Sequence, residues 1–377
     1  MMTGARHILE PVHAAAKGPK TVLLSLQYLR TIAAFMVIYF HAVLQVRLFA
    51  GENGFLPLIG AGGVDIFFAL SGFMMWYTIE QAPVGTGEFL RRRIVRVVPL
   101  YWAITLAALA VACIAPSLLR STVFDLRHAV ASLLFVPWEN PALAATGTQE
   151  LLVPVLIPGW TLNFEMLFYL FFGLTLWSAK PLRLPLLGLM LLGLYLVSGM
   201  VGTASPLSFY HKDMLFEFLA GAILGALHFE RRPLSGRVAL GLVVAGFAAL
   251  LGIEIVLGTP TPRIVLFGIP ALLILSAALR AEASDAVPSW PLLNALGNAS
   301  FSTYLTHGFV LAALRVVVAR LGLGSDAAMF QIGFVLVALV VAPAVGLATY
   351  HGVERPLVRM AGRCLSRRGA RRHLQVA

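Results

Sequence analysis

Charge is scarce in this chain. Asp, Glu, Lys and Arg make up only 12% of its 377 residues, and 59% are apolar. A soluble domain carries about 25% charged residues, so a water-soluble globule is excluded. Acidic residues are the rarer sign, 17 against 28 Lys and Arg, for a net charge of +11. Cysteine is nearly absent: Cys113 is expected near the outer end of a span and Cys364 in the C-terminal tail, too far apart to pair. No CxxC and no disulfide framework can be read. Heptads, low-complexity tracts and clear inverted repeats are also missing, and the last of these counts against the common transporter plans. No metal site and no resident cofactor are expected.

Long apolar runs fill the rest. Ten stretches, at about 22–46, 63–80, 98–116, 158–178, 184–201, 211–229, 236–257, 262–280, 299–320 and 328–350, are long enough to cross a bilayer as helices. The expected fold is all-α, one polytopic transmembrane bundle with both termini cytoplasmic. With ten spans, 20 Lys and Arg fall on one side, 6 on the other and 2 within spans. That is the positive-inside pattern, and it explains the basic charge as topology and attraction to anionic lipid rather than to nucleic acid. The expected division is a cytoplasmic tail over 1–21, a transmembrane domain over 22–350 and a basic cytoplasmic tail over 351–377. The apolar run after the polar N-terminus exceeds a signal-peptide core, so the first span is expected to stay in place. The expected location is the inner (plasma) membrane. The longest connection, 117–157, holds STVFDLRHAVASLLFVP, which reads as a short re-entrant or interfacial helix, with a crossing span as the alternative, and the rest of it, rich in Pro, Ala and Gly, is expected to cap an outward opening.

Ionisable groups inside spans are costly and often functional. Arg30 and His41 share the first span, SLQYLRTIAAFMVIYFHAV. Eleven residues of helix return them to nearly one face, with a rise of roughly 16 Å. They are expected to look into one shared polar hollow. A neutral imidazole can take a proton from a hydroxyl near neutral pH, although a core histidine bonded to a backbone carbonyl would look the same in sequence. Arg30 suits a phosphate, a thioester carbonyl or a carboxylate, or snorkels to the inner surface. Asp65, in GAGGVDIFFALSGF, is placed to orient an imidazole or to pair with a cation, while the small residues there suit helix packing. Arg93 and Arg96, three apart in EFLRRRIVRVVPLYW, share a helical face and suit a phosphate group; Pro99 is expected at the inner start of its span. In PGWTLNFEMLFYLFF, Glu165 must be paired or neutral. With Trp160 and Asn163 it is expected to grip a polar substrate at the outer mouth. Asp213, Glu217, Glu254, Ser302, Thr306, His307, Arg315 and the segment HGVERP carry weaker signals.

Taken in order, LRTIAAFMVIYFHA, GGVDIFFALSGF, RRRIVRVVPLYW, GWTLNFEMLFYL, the span around STYLTH and the terminal VERP resemble the membrane-bound acyltransferase 3 family. The wording around YLR and IYFHA is most similar to its exopolysaccharide-production branch. The Arg30-x10-His41 spacing matches the family's Arg/Lys-x10-His motif, and Arg93-x-x-Arg96 its Arg-x-x-Arg element. The resemblance implies a ten-span enzyme that moves an acyl group, acetyl before succinyl, from cytoplasmic acyl-CoA to a hydroxyl of an exopolysaccharide or other surface glycan. It makes His41 the catalytic residue, Arg30 its motif partner, and Asp65 and Glu165 members of conserved family elements. The hydrolase-like domain fused to some members is not expected here. The implied partners are acyl-CoA, a carbohydrate acceptor, the bilayer and polysaccharide-synthesis proteins. The rival readings are a transporter or flippase for a glycan or small solute, and a non-catalytic scaffold.

Overall fold

The computed structural model describes residues 23–115, 122–144, 152–203, 205–227, 233–258 and 262–373. The tail over 1–21 and the predicted loop charges Arg120, Arg231 and Arg232 lie outside them, as do the side chains beyond Cys364. Among the described residues the fold is helical, with a lone antiparallel bridge between Glu139 and Leu152.

Each predicted span falls on a helix. Seven are long and apolar enough to cross a membrane: α1 (Leu24–Ala50), α3 (Thr86–Ile114), α7 (Lys180–Met200), α9 (Gly236–Leu257), the run Ile264–Glu282 that contains α10 (Ile269–Glu282), α12 (Ser300–Arg320) and α13 (Ala328–Thr349) with its continuation. The other three predicted spans are shorter or more polar. They are α2 (Gly63–Gln81), α6 (Trp160–Thr175) and α8 (Leu215–Leu227). At 1.5 Å per residue, 16 and 13 residues reach only about 24 and 20 Å, short of the roughly 30 Å hydrocarbon core.

These three short helices sit at the centre. Phe68 of α2, Phe164, Phe168 and Phe172 of α6 and Phe218 of α8 form one aromatic core, with the Phe68 and Phe218 rings 4.5 Å apart and those of Phe168 and Phe218 4.4 Å apart. α2 and α8 touch backbone to backbone. A β-carbon at Gly72 would lie 2.0 Å from the Phe218 carbonyl oxygen, and one at Gly221 2.1 Å from that of Ala69. The small residues of α2 therefore do serve close helix packing.

Two local expectations change. Pro99 is not at a helix start: α3 begins at Thr86, so the arginine run is helical and Pro99 lies in the interior. The helix survives because bundle packing outweighs one lost backbone bond. At the other end of the chain, α13 passes through a π-turn (Tyr350–Glu354) into α14 (Arg355–His373) without a break. Glu354, beyond the expected domain boundary, is buried and accepts a 2.5 Å hydrogen bond from Ser302 Oγ.

The connection after α3 contains α4 (Leu126–Leu133), of 8 residues, too short to cross a bilayer. Asp125 caps it by accepting the His128 N–H at 2.7 Å. The cap is stitched to its surroundings by Tyr101 Oη to the Ser132 carbonyl (3.1 Å), Trp102 Nε1 to the Leu133 carbonyl (2.8 Å) and Val155 N–H to Ser132 Oγ (2.9 Å). A one-turn helix α5 (Pro141–Ala144) follows, and residues 152–156 lead through the 3₁₀ turn Ile157–Gly159 into α6.

Candidate active site

Helices α1 and α12 run side by side, and residues from both line two separate chambers. The first, about 110 Å³, is lined by Arg30 of α1, Arg93 and Arg96 of α3, Ser71 of α2, Glu165 and Tyr169 of α6, and Ser300 and Tyr304 of α12, among others. Arg93 donates to Thr78 Oγ1 at 2.8 Å, and its guanidinium lies over the rings of Phe89 and Tyr169 at 5.3 and 5.7 Å. Arg96 is exposed and marks where the chamber meets the surface. Glu165 accepts hydrogen bonds from Ser71 Oγ (3.2 Å) and from Tyr169 Oη. Among the described residues no carboxylate stands within ion-pair distance of Arg30, Arg93 or Arg96. Three guanidiniums thus face one carboxylate in the lining. The next acid within electrostatic reach, Glu354, is held on Ser302. Such an excess of positive charge in a partly desolvated chamber suits a multiply charged anion.

The second chamber, about 250 Å³, is lined by His41 and Gln45 of α1, His307 and Arg315 of α12, Ala108 of α3, Thr122, and the segment Val155–Pro158. His41 Nδ1 lies 2.8 Å from the Val37 carbonyl, and His307 Nδ1 2.5 Å from the Tyr304 carbonyl. A carbonyl only accepts, so each Nδ1 carries the proton and each Nε2 is left with a free lone pair. The two rings are 5.0 Å apart between centroids. Arg315 donates to Gln45 Oε1 at 3.3 Å. One neutral imidazole with an open Nε2 can deprotonate a hydroxyl or accept an acyl group; here two stand together.

Arg30 and His41 therefore do not look into one hollow, as the sequence suggested. Their similar helical azimuth is real, but the chambers at the two depths share no lining residue. Between them stands a small polar knot. Tyr304 Oη and Thr161 Oγ1 donate to the Pro158 carbonyl at 2.9 and 3.1 Å and lie 3.0 Å from each other.

Other predicted residues are placed differently. Asp65 does not orient His41. It pairs with a cation, the alternative the sequence allows: fully buried, it receives Arg263 Nε and Nη2 at 2.8 and 2.6 Å. Glu165 is not at an outer mouth with Trp160 and Asn163: it lies in the arginine chamber, while Trp160 and Asn163 line neither chamber. Trp160 packs edge-on to Phe68 and Phe164 and carries the Lys212 ammonium 5.3 Å from its ring. Asn163 is buried without a hydrogen-bond partner. Glu254 accepts the backbone N–H groups of Gly60 and Gly62, and Asp213 that of Ile264, so both shape turns. Tyr304, Tyr169 and Gln45 were not singled out from the sequence. A usable signal was there for the first: Ser300, Tyr304, His307, Leu311 and Arg315 recur at helical spacing.

A helical bundle that holds a guanidinium chamber and an imidazole pair is suited to group transfer within a membrane. A family profile described as "Acyltransferase domain" matches residues 23–350, and the chain belongs to this family, the acyltransferase 3 proteins. It is an O-acyltransferase of the exopolysaccharide branch. It is 37% identical over 315 residues to the "Exopolysaccharide production protein ExoZ" of Rhizobium meliloti (strain 1021), covering 82% of this chain and 93% of that protein. No solved structure matches the chain.

Proposed function

We propose that this enzyme transfers an acyl group, acetyl first, from cytoplasmic acyl-CoA to a hydroxyl of an exopolysaccharide or other surface glycan. In this reading it is a ten-span inner-membrane protein with both termini in the cytoplasm. The observation that carries it is the pairing of a chamber in which three arginines face one carboxylate with a second chamber lined by His41, whose Nδ1 is held on the Val37 carbonyl. The relative's name supports the class of acceptor.

Arg30, Arg93 and Arg96 hold the phosphates of the donor, and Glu165, fixed by Ser71 and Tyr169, limits how far those arginines spread. In the histidine chamber His41 Nε2 takes the proton of the acceptor hydroxyl as its oxygen attacks the thioester carbonyl. The C–S bond breaks, and the departing thiolate takes the proton from the imidazolium. The same nitrogen is placed for the alternative order, in which it carries the acyl group before the hydroxyl arrives. The Nδ1 bond to Val37 holds the required tautomer in both.

The test uses purified full-length protein, labelled acetyl-CoA and de-O-acylated polysaccharide from the producing cells. The wild type is expected to label the glycan, and His41→Ala, inserted and folded, to fall by about 10²–10⁴-fold, the usual worth of a general base. Undiminished labelling by this variant removes His41 from the chemistry. A wild type that moves the glycan across a membrane without labelling it is a transporter instead.

A further inference from the structure

The two chambers pose a problem for any transfer between them. Arg30, Arg93 and Arg96 line one, His41 and His307 line the other, and the wall between contains the Tyr304–Thr161–Pro158 knot. Tyr304 and Thr161 face the arginine chamber, and Pro158 faces the histidine chamber. We propose that this knot is a gate, and that Tyr304 is the positioning residue that decides whether the acyl group passes to His41 and the acceptor or is lost to water. The proposal rests on the acyl transfer reading above.

Three features carry it. The contact between Tyr304, Thr161 and Pro158 is a set of neutral hydrogen bonds. The Pro158 carbonyl receives the Tyr304 and Thr161 hydroxyls besides the Trp160 N–H. Such bonds are individually weak in net terms and can break and re-form in each cycle. Second, the Tyr304–Pro158 bond joins two different helices, α12 and the 3₁₀ turn Ile157–Gly159 that opens α6. Third, Tyr304 acts on both sides of the wall. Its side chain makes the closure, while its carbonyl holds His307 Nδ1 at 2.5 Å, and the His307 ring lies 5.0 Å from that of His41, tilted by 54°. A shift of this turn of α12 therefore opens the wall and moves the second imidazole together. Phe67 packs edge-on against the Tyr304 ring at 6.0 Å and keeps that motion from being free.

Loss of the tyrosine hydroxyl removes the closure but leaves the ring and its packing. The consequence is a leak. Water reaching the thioester supplies the oxygen that bonds to the acyl carbon, the C–S bond breaks, and the thiol leaves with a proton from that water. Glycan acylation falls while CoA release persists.

The experiment compares wild type, Tyr304→Phe and Thr161→Val, each purified as the full chain, with acetyl-CoA and de-O-acylated polysaccharide. Free CoA thiol and acylated glycan are measured in the same reaction. The expected result is a ratio of hydrolysis to transfer raised at least about five-fold in Tyr304→Phe, and raised less in Thr161→Val, which keeps the Tyr304–Pro158 bond. Parallel loss of both products means a structural role only and overturns the gate, as does an unchanged ratio in both variants. If Tyr304→Phe fails to fold, Thr161→Val decides by the same ratio. A wild type that yields neither free CoA nor acylated glycan overturns the functional reading itself and the gate with it; a transferring wild type beside variants of unchanged ratio overturns the gate alone.

Discussion

Single side chains divide here into those that stand out in the sequence on their own and those whose setting depends on a partner from a distant helix. Arg30, His41, Arg93, Arg96 and Glu165 belong to the first group, because a charge inside an apolar run is conspicuous wherever it points. Asp65 belongs to the second. Its partner Arg263 is 198 residues away, and nothing in the local pattern says which helix faces it. His128 illustrates how a residue outside the spans carries a pH response. It is buried in the cap, with Nε2 2.9 Å from the Val153 carbonyl. Burial lowers its pKa below the ordinary value, although the Val153 carbonyl and Asp125 pull the other way. The fold therefore holds a neutral imidazole, and the unfolded chain binds the proton more readily. The contribution of His128 to cap stability is full above the unfolded value of about 6.5 and is lost as pH falls below it. Hydrogen exchange of residues 122–144 is expected to accelerate on acidification from pH 7.5 to 5.5 in the wild type and to show a smaller change in His128→Gln.

At the level of whole helices, apolar length located every span-sized element, but it ranked them misleadingly. The three weakest by that measure, α2, α6 and α8, form the middle of the bundle, because helices surrounded by protein can be short and carry Asp65, Glu165 and Glu217 that a lipid-facing helix could not. Register along α1 was legible from the 3.6-residue period. The division of that face into two chambers was not, because it is made by α6 and α12 arriving from elsewhere in the chain. The α2–α8 contact gives a sharp test. Gly72→Val places its Cβ against the Phe218 carbonyl, where 2.0 Å is far inside van der Waals contact, and overpacking of this kind costs about 1–3 kcal/mol or more. The variant is expected to lose detergent-stable protein in a fluorescence size-exclusion assay, whereas Gly193→Ala, in open space on α7, is expected to match the wild type.

For the molecule as a whole, the proposed topology accounts for the basic excess, and α14 is where it can be checked. Cys364 is exposed on that helix, among Arg355, Arg359 and Arg363. With Cys113 replaced by Ser, a membrane-impermeant maleimide is expected to label Cys364 only after the cells are permeabilised. Labelling of intact cells would place this end of the chain outside and reverse the assignment of donor and acceptor sides.

Because α1 is one unbroken hydrogen-bonded helix from Leu24 to Ala50, it acts as a ruler that cannot stretch. A donor whose charged end rests on Arg30 must deliver its reactive carbon roughly 16 Å further along the axis to meet His41. A compact activated acid, with its phosphate joined directly to the acyl carbon, is too short to touch both marks. On the proposed assignment of acyl-CoA as donor, acetyl phosphate is expected to leave the glycan unlabelled at concentrations where acetyl-CoA saturates the enzyme, molecular length selecting the donor before any chemistry begins.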